Sequence, residues 1–373
     1  MNSGAEAPTP RFAWKCIMKF AIDHILAVID STILNPVVSA LIPIGLHFTT
    51  IHRVIFQHSE NSIFRLRIAH LPLIQKNALY LLAAGVLIRL NRYFNQRALN
   101  NGVSAKFEAS KEIIVVTGGA GGFGAEATKR LASRGSKVVV LDVLPLTYDK
   151  PPNVHYYKVD VTKYEAVQAV AELIRKDVGA PTVVIANAGI CRGKGILEAR
   201  PEDIEMTFAV NNLAIFWCAK VFLPSMVKNN HGHFLITASQ GGYACAGKIV
   251  DYSATKAAAI AIYEGLQTEL KHIHNAPGVR VSVISPSVAQ TRMFETTKSP
   301  SNFILPRLEA SDVGQKMCEI IWSAKSQEVL IPAAAYIAVP TRSLPTWMRV
   351  GLQNTAATSF SDFKPHDPLA LGK

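Results

Sequence analysis

From Glu112 onward, short β-branched runs alternate with helical stretches, and this alternation leaves few folds open to the chain. Ile113–Val116, Lys137–Leu141, Val154–Val159, Thr182–Ala186, His233–Thr237 and Val279–Ile284 read as strands. Gly124–Arg134, Lys163–Lys176, Pro201–Val227 and Ser253–His272 carry helical patterning between them. Strands separated by helices cannot pair as hairpins. They build βαβ units, and a parallel sheet made this way is buried on both faces. The expected fold class is α/β, a doubly wound parallel sheet with helices on both faces.

The 110 residues ahead of this pattern have another character. Ser31–His52 holds no formal charge and is long enough to span a bilayer, although Pro36 and Pro43 interrupt it. Asn77–Ile88 is a second, shorter apolar run between Lys76 and Arg89. Residues 1–110 carry eleven Lys/Arg against five Asp/Glu, half of the chain's net charge of +12 in under a third of its length. Only 18% of the chain is charged, and its mean hydropathy is +0.20, so contact with a lipid phase is expected. Basic flanks around apolar runs suit an anionic membrane surface, and no nucleic-acid-binding motif is present. The N-terminus, polar through Pro10 and followed by Arg11, Lys15 and Lys19, lacks the compact apolar run of a secretory signal. Five scattered cysteines without a CxxC pair favour a reducing, cytosol-facing compartment and no metal site. The expected organisation is a helical, hydrophobic, membrane-associating region (1–110), an α/β domain (111–340) and a tail (341–373), polar and flexible from Asn354.

The first strand runs into Thr117-Gly118-Gly119-Ala120-Gly121-Gly122-Phe123-Gly124 and then a helix. A glycine-rich turn there lets backbone approach a pyrophosphate, and the helix N-terminus directs N–H groups at it. Asp142 ends the second strand eighteen residues after Gly124, where an acid hydrogen-bonds the adenosine ribose hydroxyls and repels a 2′-phosphate. The sheet is therefore expected to be Rossmann-type and to bind NAD(H), with NADP(H) as the alternative.

Tyr252-Ser253-Ala254-Thr255-Lys256 places tyrosine and lysine on one helix face. A nearby ammonium lowers a phenol's pKa toward the operating pH, which suits proton exchange with a substrate oxygen. Ser239 lies thirteen residues upstream, at the end of a strand.

Together these residues resemble the short-chain dehydrogenase/reductase family over roughly residues 111–335. TGxxxGxG appears as Thr117, Gly118, Gly122, Phe123 and Gly124, the Phe standing where the family commonly has Ile or Leu. The adenine-contacting aspartate appears as Asp160, followed by Val161, and the NAG motif as Asn187-Ala188-Gly189. The resemblance implies a catalytic tetrad of Asn211, Ser239, Tyr252 and Lys256, in which Asn211 holds a proton-relay water. It places Lys220 near the cofactor, with Pro286, Ala289 and Thr291 in the loop around the nicotinamide. The family's Pro-Gly is here Pro286-Ser287.

More loosely, the anchor layout and Ile331–Leu352 resemble the membrane-bound retinol and 17β-hydroxysteroid dehydrogenase branch. That implies hydride transfer between NAD(P) and an alcohol or carbonyl on a lipophilic substrate: a retinoid, steroid, fatty alcohol or secondary metabolite. It also implies a place on the endoplasmic reticulum or a lipid droplet, and leaves homo-oligomerisation open. Loops at Ile190–Glu198, Gln240–Val250 and Met293–Pro306 are expected to form the substrate pocket, with Phe294, Phe303, Ile304 and Leu305 at an apolar entrance. Two other readings compete: a non-catalytic nucleotide-binding membrane scaffold, and a soluble NADPH-linked ketone reductase.

Overall fold

The computed structural model describes residues 22–41, 43–45, 62–297, 301, 303–360 and 363. Arg11, Cys16, the apolar run beyond Gly45, and residues 361–362 and 364–373 of the expected tail lie outside the described residues. The chain divides into two compact units, Met1–Phe94 and Asn95–Lys373.

In the second unit, seven strands form one parallel sheet: β1 (Ile113–Thr117), β2 (Lys137–Asp142), β3 (Val154–Lys158), β4 (Val183–Ala186), β5 (Gly232–Thr237), β6 (Val279–Pro286) and β9 (Glu328–Ile331). Their order is β3-β2-β1-β4-β5-β6-β9. A separate two-stranded sheet joins β7 (Ala289–Gln290) to β8 (Leu308–Glu309). β1 pairs with β2 from Ile113↔Lys137 and with β4 from Ile114↔Val183. The winding direction reverses at β1/β4, so the crevice for a ligand opens there, beyond the carboxyl ends of the strands.

The strands are Val- and Ile-rich because both faces are covered. Val138–Leu141 are fully buried, and each such side chain contributes ~1.5–3 kcal/mol of burial energy. One face packs on α3 (Gly122–Ser133) and α8 (Ala310–Trp322), through Leu131, Met317 and Ile321. The other packs on α4 (Tyr164–Asp177), α6 (Ala214–Asn229) and α7 (Val250–His272), through Ile174, Phe222 and Tyr263. α5 (Pro201–Phe208) precedes α6 and is joined to it by a π-helical turn, Ala209–Leu213. The continuous helix Pro201–Asn229 is long and apolar enough to cross a membrane, yet its most apolar window is 56% buried. It is a core helix.

The contact boundary falls ahead of Lys111 because residues 95–110 are tied to the sheet. Arg280 on β6, fully buried, donates through Nη1 to Asn100 O (3.0 Å), through Nη2 to Val103 O, and through Nε to Ala324 O (3.1 Å). Asn100 Oδ1 accepts from Ser326 N at 2.9 Å.

The first unit contains α1 (Ile22–Ser31) and most of α2 (Ser62–Leu99). α1 and the helical stretch Pro36–Gly45 pass the length-and-hydropathy test for a span only when taken together, bent by 51°. Leu79, Tyr80, Leu87 and Leu90 of α2 are exposed. Arg92 pairs with Asp30 at 2.9 Å.

The expected flexible tail does not hold for its described part. Thr346–Thr358 form α9, and Phe360 and Phe363 are buried. Both rings pack with Cys191, Ala246, Ile249 and Tyr252 in one cluster, which supplies the burial that a polar composition did not suggest.

Candidate active site

A cavity of about 680 Å³ opens at the β1/β4 reversal. Its floor is the turn from β1 into α3. Gly118 adopts φ +65°, and a Cβ there would lie 2.9 Å from Ala188 Cα, so the turn and the Asn187–Gly189 strand end meet without side chains between them. A Cβ on Gly124 would lie 2.3 Å from Gly118 O, so that glycine serves helix-to-turn packing and does not itself line the cavity. Thr117 acts from below: its Oγ1 accepts from Asn187 N and Ala188 N, both at 3.0 Å. Asn187 Nδ2 donates back to Thr117 O and Gly118 O, both at 3.1 Å.

Gly118, Gly122, Phe123, Asp142, Asp160, Val161 and Asn187–Gly189 line one end of this space. Asp142 Oδ2 accepts from Ala120 N (2.9 Å) and Oδ1 from Leu144 N (3.0 Å). The carboxylate is thereby fixed beside the turn, with a lone pair on each oxygen left for a ligand. Val143, Leu144, Pro145 and Thr147 continue the wall, and no basic residue is among them. Asp160 accepts from Thr162 N and Oγ1, which caps its own turn.

At the other end stand Ser239, Tyr252, Lys256, Pro286, Ala289 and Thr291. Ser239 Oγ accepts from Gly241 N (3.1 Å), donates to Pro286 O (3.3 Å) and is in hydrogen-bonding reach of the Tyr252 phenol. Lys256 Nζ donates to Thr237 O at 2.8 Å and lies 5.6 Å from the Tyr252 ring centroid. Burial pushes the Tyr252 phenol well above its ordinary value, and the Ser239 hydrogen bond pulls it back only in part. Burial likewise pulls Lys256 down to about 8. The expected lowering of the phenol by the ammonium is not seen in the protein alone, where desolvation sets the direction.

Asn211 sits in the π-helical turn, an irregularity frequent at functional sites. Its Oδ1 accepts from Ile190 N (2.8 Å), while Nδ2 donates to Ile190 O (3.0 Å) and Thr255 Oγ1 (2.9 Å). The side chain therefore staples the Ile190 loop to α7. A Cβ on Gly189 would lie 3.4 Å from Asn211 Oδ1 and 3.5 Å from Lys256 Nζ, so these groups converge behind the cavity wall.

Several expectations need correction. Lys220 is exposed and lines no part of the cavity, because its helix buries the neighbouring Ala219 and Val221 instead. Phe303 and Ile304 are exposed as well, and only Phe294 and Leu305 of the expected entrance line the cavity. Ser287 is not among the positive-φ residues, so loss of the family's glycine strains nothing there. The sequence reading missed Ala356, Ser359 and Phe360, which line the cavity from the C-terminal segment. The only signal for these was a pair of phenylalanines in an otherwise polar stretch. Cys191, inside the expected Ile190–Glu198 loop, lines the cavity as a buried thiol pushed up to about 12 by desolvation.

A switch-point cavity with a glycine cradle at one end and a buried Tyr–Lys pair at the other defines a dinucleotide-dependent enzyme of the α/β class. The family model for short chain dehydrogenases matches residues 112–302. The chain belongs to the short-chain dehydrogenase/reductase family, oxidoreductases that act on CH–OH groups with NAD(P). It is 38% identical to Dehydrogenase RED2 of Cochliobolus heterostrophus, over 53% of this chain and 76% of that one. It is 33% identical to the human Epidermal retinol dehydrogenase 2, over 57% and 72%. With the human 17-beta-hydroxysteroid dehydrogenase 13 it shares 30%, over 60% and 75%. Its fold is similar to that of the 3-ketoacyl-(acyl-carrier-protein) reductase of Brucella melitensis, solved with NADH. That match has a TM-score of 0.52 at 21% identity and covers 60% of this chain and 98% of that one.

The residues fit the family's cofactor. Gly121, ahead of α3, leaves the helix N-terminus without a side-chain cap, so its N–H groups remain for phosphate oxygens. The buried hydroxyls of Thr237 and Ser287, on residues that line the cavity, have no hydrogen-bond partner among the described residues.

Proposed function

We propose that the chain interconverts an alcohol and a carbonyl on a lipophilic substrate, a retinoid, steroid, fatty alcohol or secondary metabolite, with Tyr252 as acid and base. The observation that carries this reading is the apolar wall around the phenol, where Cys191, Ala246, Ile249, Phe294, Leu305 and Phe360 all line the cavity. Such a wall accepts hydrocarbon and offers a small polar substrate few partners. The relatives named for retinol and steroid activity agree with that chemistry.

The bound nicotinamide supplies the carbon that takes or gives hydride. Tyr252 exchanges a proton with the substrate oxygen, and Ser239 holds that oxygen through its hydroxyl. Lys256, anchored on Thr237 O, provides positive charge beside the phenol, and Asn211 positions the Ile190 loop against α7. Gly118, Gly122, Phe123 and the Asn187–Gly189 strand end would hold the pyrophosphate and nicotinamide side. Asp160 and Val161 would border the adenine, and Pro286, Ala289 and Thr291 the carboxamide. Asp142 favours NAD(H): it accepts ribose hydroxyls and repels a 2′-phosphate, with no cation in the adjoining wall to offset it.

The exposed apolar side chains of α2 and the bent pair ahead of it support association with a membrane, and the proposed location is the endoplasmic reticulum or a lipid droplet, with the catalytic unit facing the cytosol. The testing experiment is an absorbance screen of purified protein against lipophilic alcohols and ketones with both nicotinamides. Nucleotide binding without turnover of any alcohol or ketone would leave the scaffold reading in its place.

A further inference from the structure

The C-terminal segment exposes large apolar side chains beside a few small polar ones. In α9, Trp347, Met348, Val350 and Leu352 are exposed, Trp347 to 77%. The half-buried side of the same helix carries Arg349 and Gln353, paired with each other at 3.1 Å. The 3₁₀ turns Ala333–Ser343 repeat the arrangement, burying small alanines and exposing Ile337 to 62%. A helix that meets water shows the opposite pattern. Charge adds a second constraint. From Val329 to Phe360 there is no Asp or Glu, and the only formal charges are Arg342 and Arg349. An apolar face bearing a tryptophan and accompanied only by arginines matches the headgroup boundary of an anionic bilayer.

The far end of this segment reaches the catalytic centre. Ala356, Ser359 and Phe360 line the cavity. The Phe360 ring meets Phe363 edge-on at 5.7 Å, and Phe363 stacks on Phe294 at 5.5 Å. Phe294 in turn lies edge-on to Tyr252 at 5.6 Å. A continuous aromatic path therefore leads from the outward-facing segment to the phenol.

We infer that Ala333–Phe360 is a bilayer-docking surface whose outer face sits in an anionic membrane and whose inner end admits substrate to Tyr252 directly from lipid. Entry by this route rests on the lipophilic-substrate reading above; the docking itself does not.

The test uses the full chain with phosphatidylcholine vesicles, with and without phosphatidylserine, made from lipids brominated high on the acyl chain. Emission from Trp347 is taken as the difference between the full chain and Trp347→Phe. The expected result is quenching of that difference by about half or more with phosphatidylserine, and less without it. Unquenched emission overturns the proposal, whether it is water-like because the face is bare or blue-shifted because a second copy or another part of the chain covers it. Failure of the chain to bind vesicles overturns it too. In a second arm, Ile337→Glu/Trp347→Glu should raise KM for an alcohol supplied in vesicles about fivefold, with kcat and KM for a short water-soluble alcohol unchanged. Quenching with an unchanged KM overturns the entry route. Absence of turnover in both substrates removes the proposed function while the quenching result stands on its own.

Discussion

Removing residues 1–94 and removing residues 1–105 should give proteins of clearly different stability, although both cuts spare every strand of the sheet. The shorter deletion keeps Asn100 and Val103, whose carbonyls accept from the buried Arg280, and Asn100 Oδ1, which accepts from Ser326 N. The longer one removes all three acceptors. A hydrogen bond to a charged group contributes ~1.5–3 kcal/mol, and an orphaned buried amide costs ~1–3 kcal/mol. Water entering the vacated space recovers part of this, which leaves a difference on the order of 3–5 kcal/mol. At ~2–4 °C per kcal/mol for a unit of this size, the 106–373 protein should melt roughly 10 °C below the 95–373 protein. Thermal denaturation followed by circular dichroism reads this directly. Arg280→Met supplies the control. It should destabilise 95–373, yet cost little or even stabilise 106–373, where it removes an uncompensated buried charge. Equal melting temperatures for the two truncations, or an equal cost of Arg280→Met in both, would refute the reasoning.

Tyr252→Phe should lower turnover at least ~10²-fold and leave nucleotide affinity, read by fluorescence titration, intact; wild-type turnover would remove Tyr252 from the chemistry. Asp142→Ala should narrow the ratio of NAD(H) to NADP(H) affinity, and a wild type that already prefers NADP(H) would show the carboxylate plays another part. Lys256→Met should alter the pH dependence of folding. Burial lowers Lys256 from its ordinary 10.5 to about 8, so between these values the unfolded state binds the extra proton and the lysine's penalty fades as pH rises. The stability of wild type relative to Lys256→Met should therefore climb by about 3 kcal/mol from pH 7 to pH 11 in urea titrations; a flat difference would show that Lys256 is not desolvated.

How far the sequence could be read depended on whether a feature is periodic or local. The strands from Ile113 to Ile284 announced themselves because burial on both faces demands unbroken β-branched runs. The glycine turn, Asp142 and Tyr252/Lys256 could be singled out because each proposed role asks for a particular residue type at a fixed spacing, and the fold brings them to one cavity. Lys220 failed for a related reason: position on a helix does not say which face is solvated, and here that face points outward. The boundary at Lys111 was set by where charge and hydropathy change, but Arg280 binds backbone carbonyls, which leave no trace in composition. Phe360 and Phe363 were invisible on similar grounds. Two rings in a polar stretch show no period, and their burial depends on residues distant in sequence, among them Cys191, Ala246, Tyr252 and Phe294.

The opposite shifts of Tyr252 and Lys256 have one cause, and it bears on when the pair becomes reactive. Both groups are buried, so both are pressed toward their neutral forms: the phenol keeps its proton more tightly and the ammonium gives its own up more readily. Lys256 also donates to Thr237 O at 2.8 Å and stands 5.6 Å from the Tyr252 ring centroid. A tyrosine and a lysine four residues apart occur on many solvated helices, where water screens them and neither shift arises. Here the surroundings differ, because both side chains are buried and share the cavity wall with the apolar Cys191, Phe294 and Phe360. Once ligands fill such a cavity, a positive charge brought alongside the phenol acts with little screening, so a change in occupancy moves the phenol's proton affinity far more than it would on a surface. Reactivity therefore belongs to the filled cavity. On the proposed mechanism the Tyr252–Lys256 spacing is necessary for it, and the apolar lining contributed partly by the C-terminal segment is what would make that spacing matter.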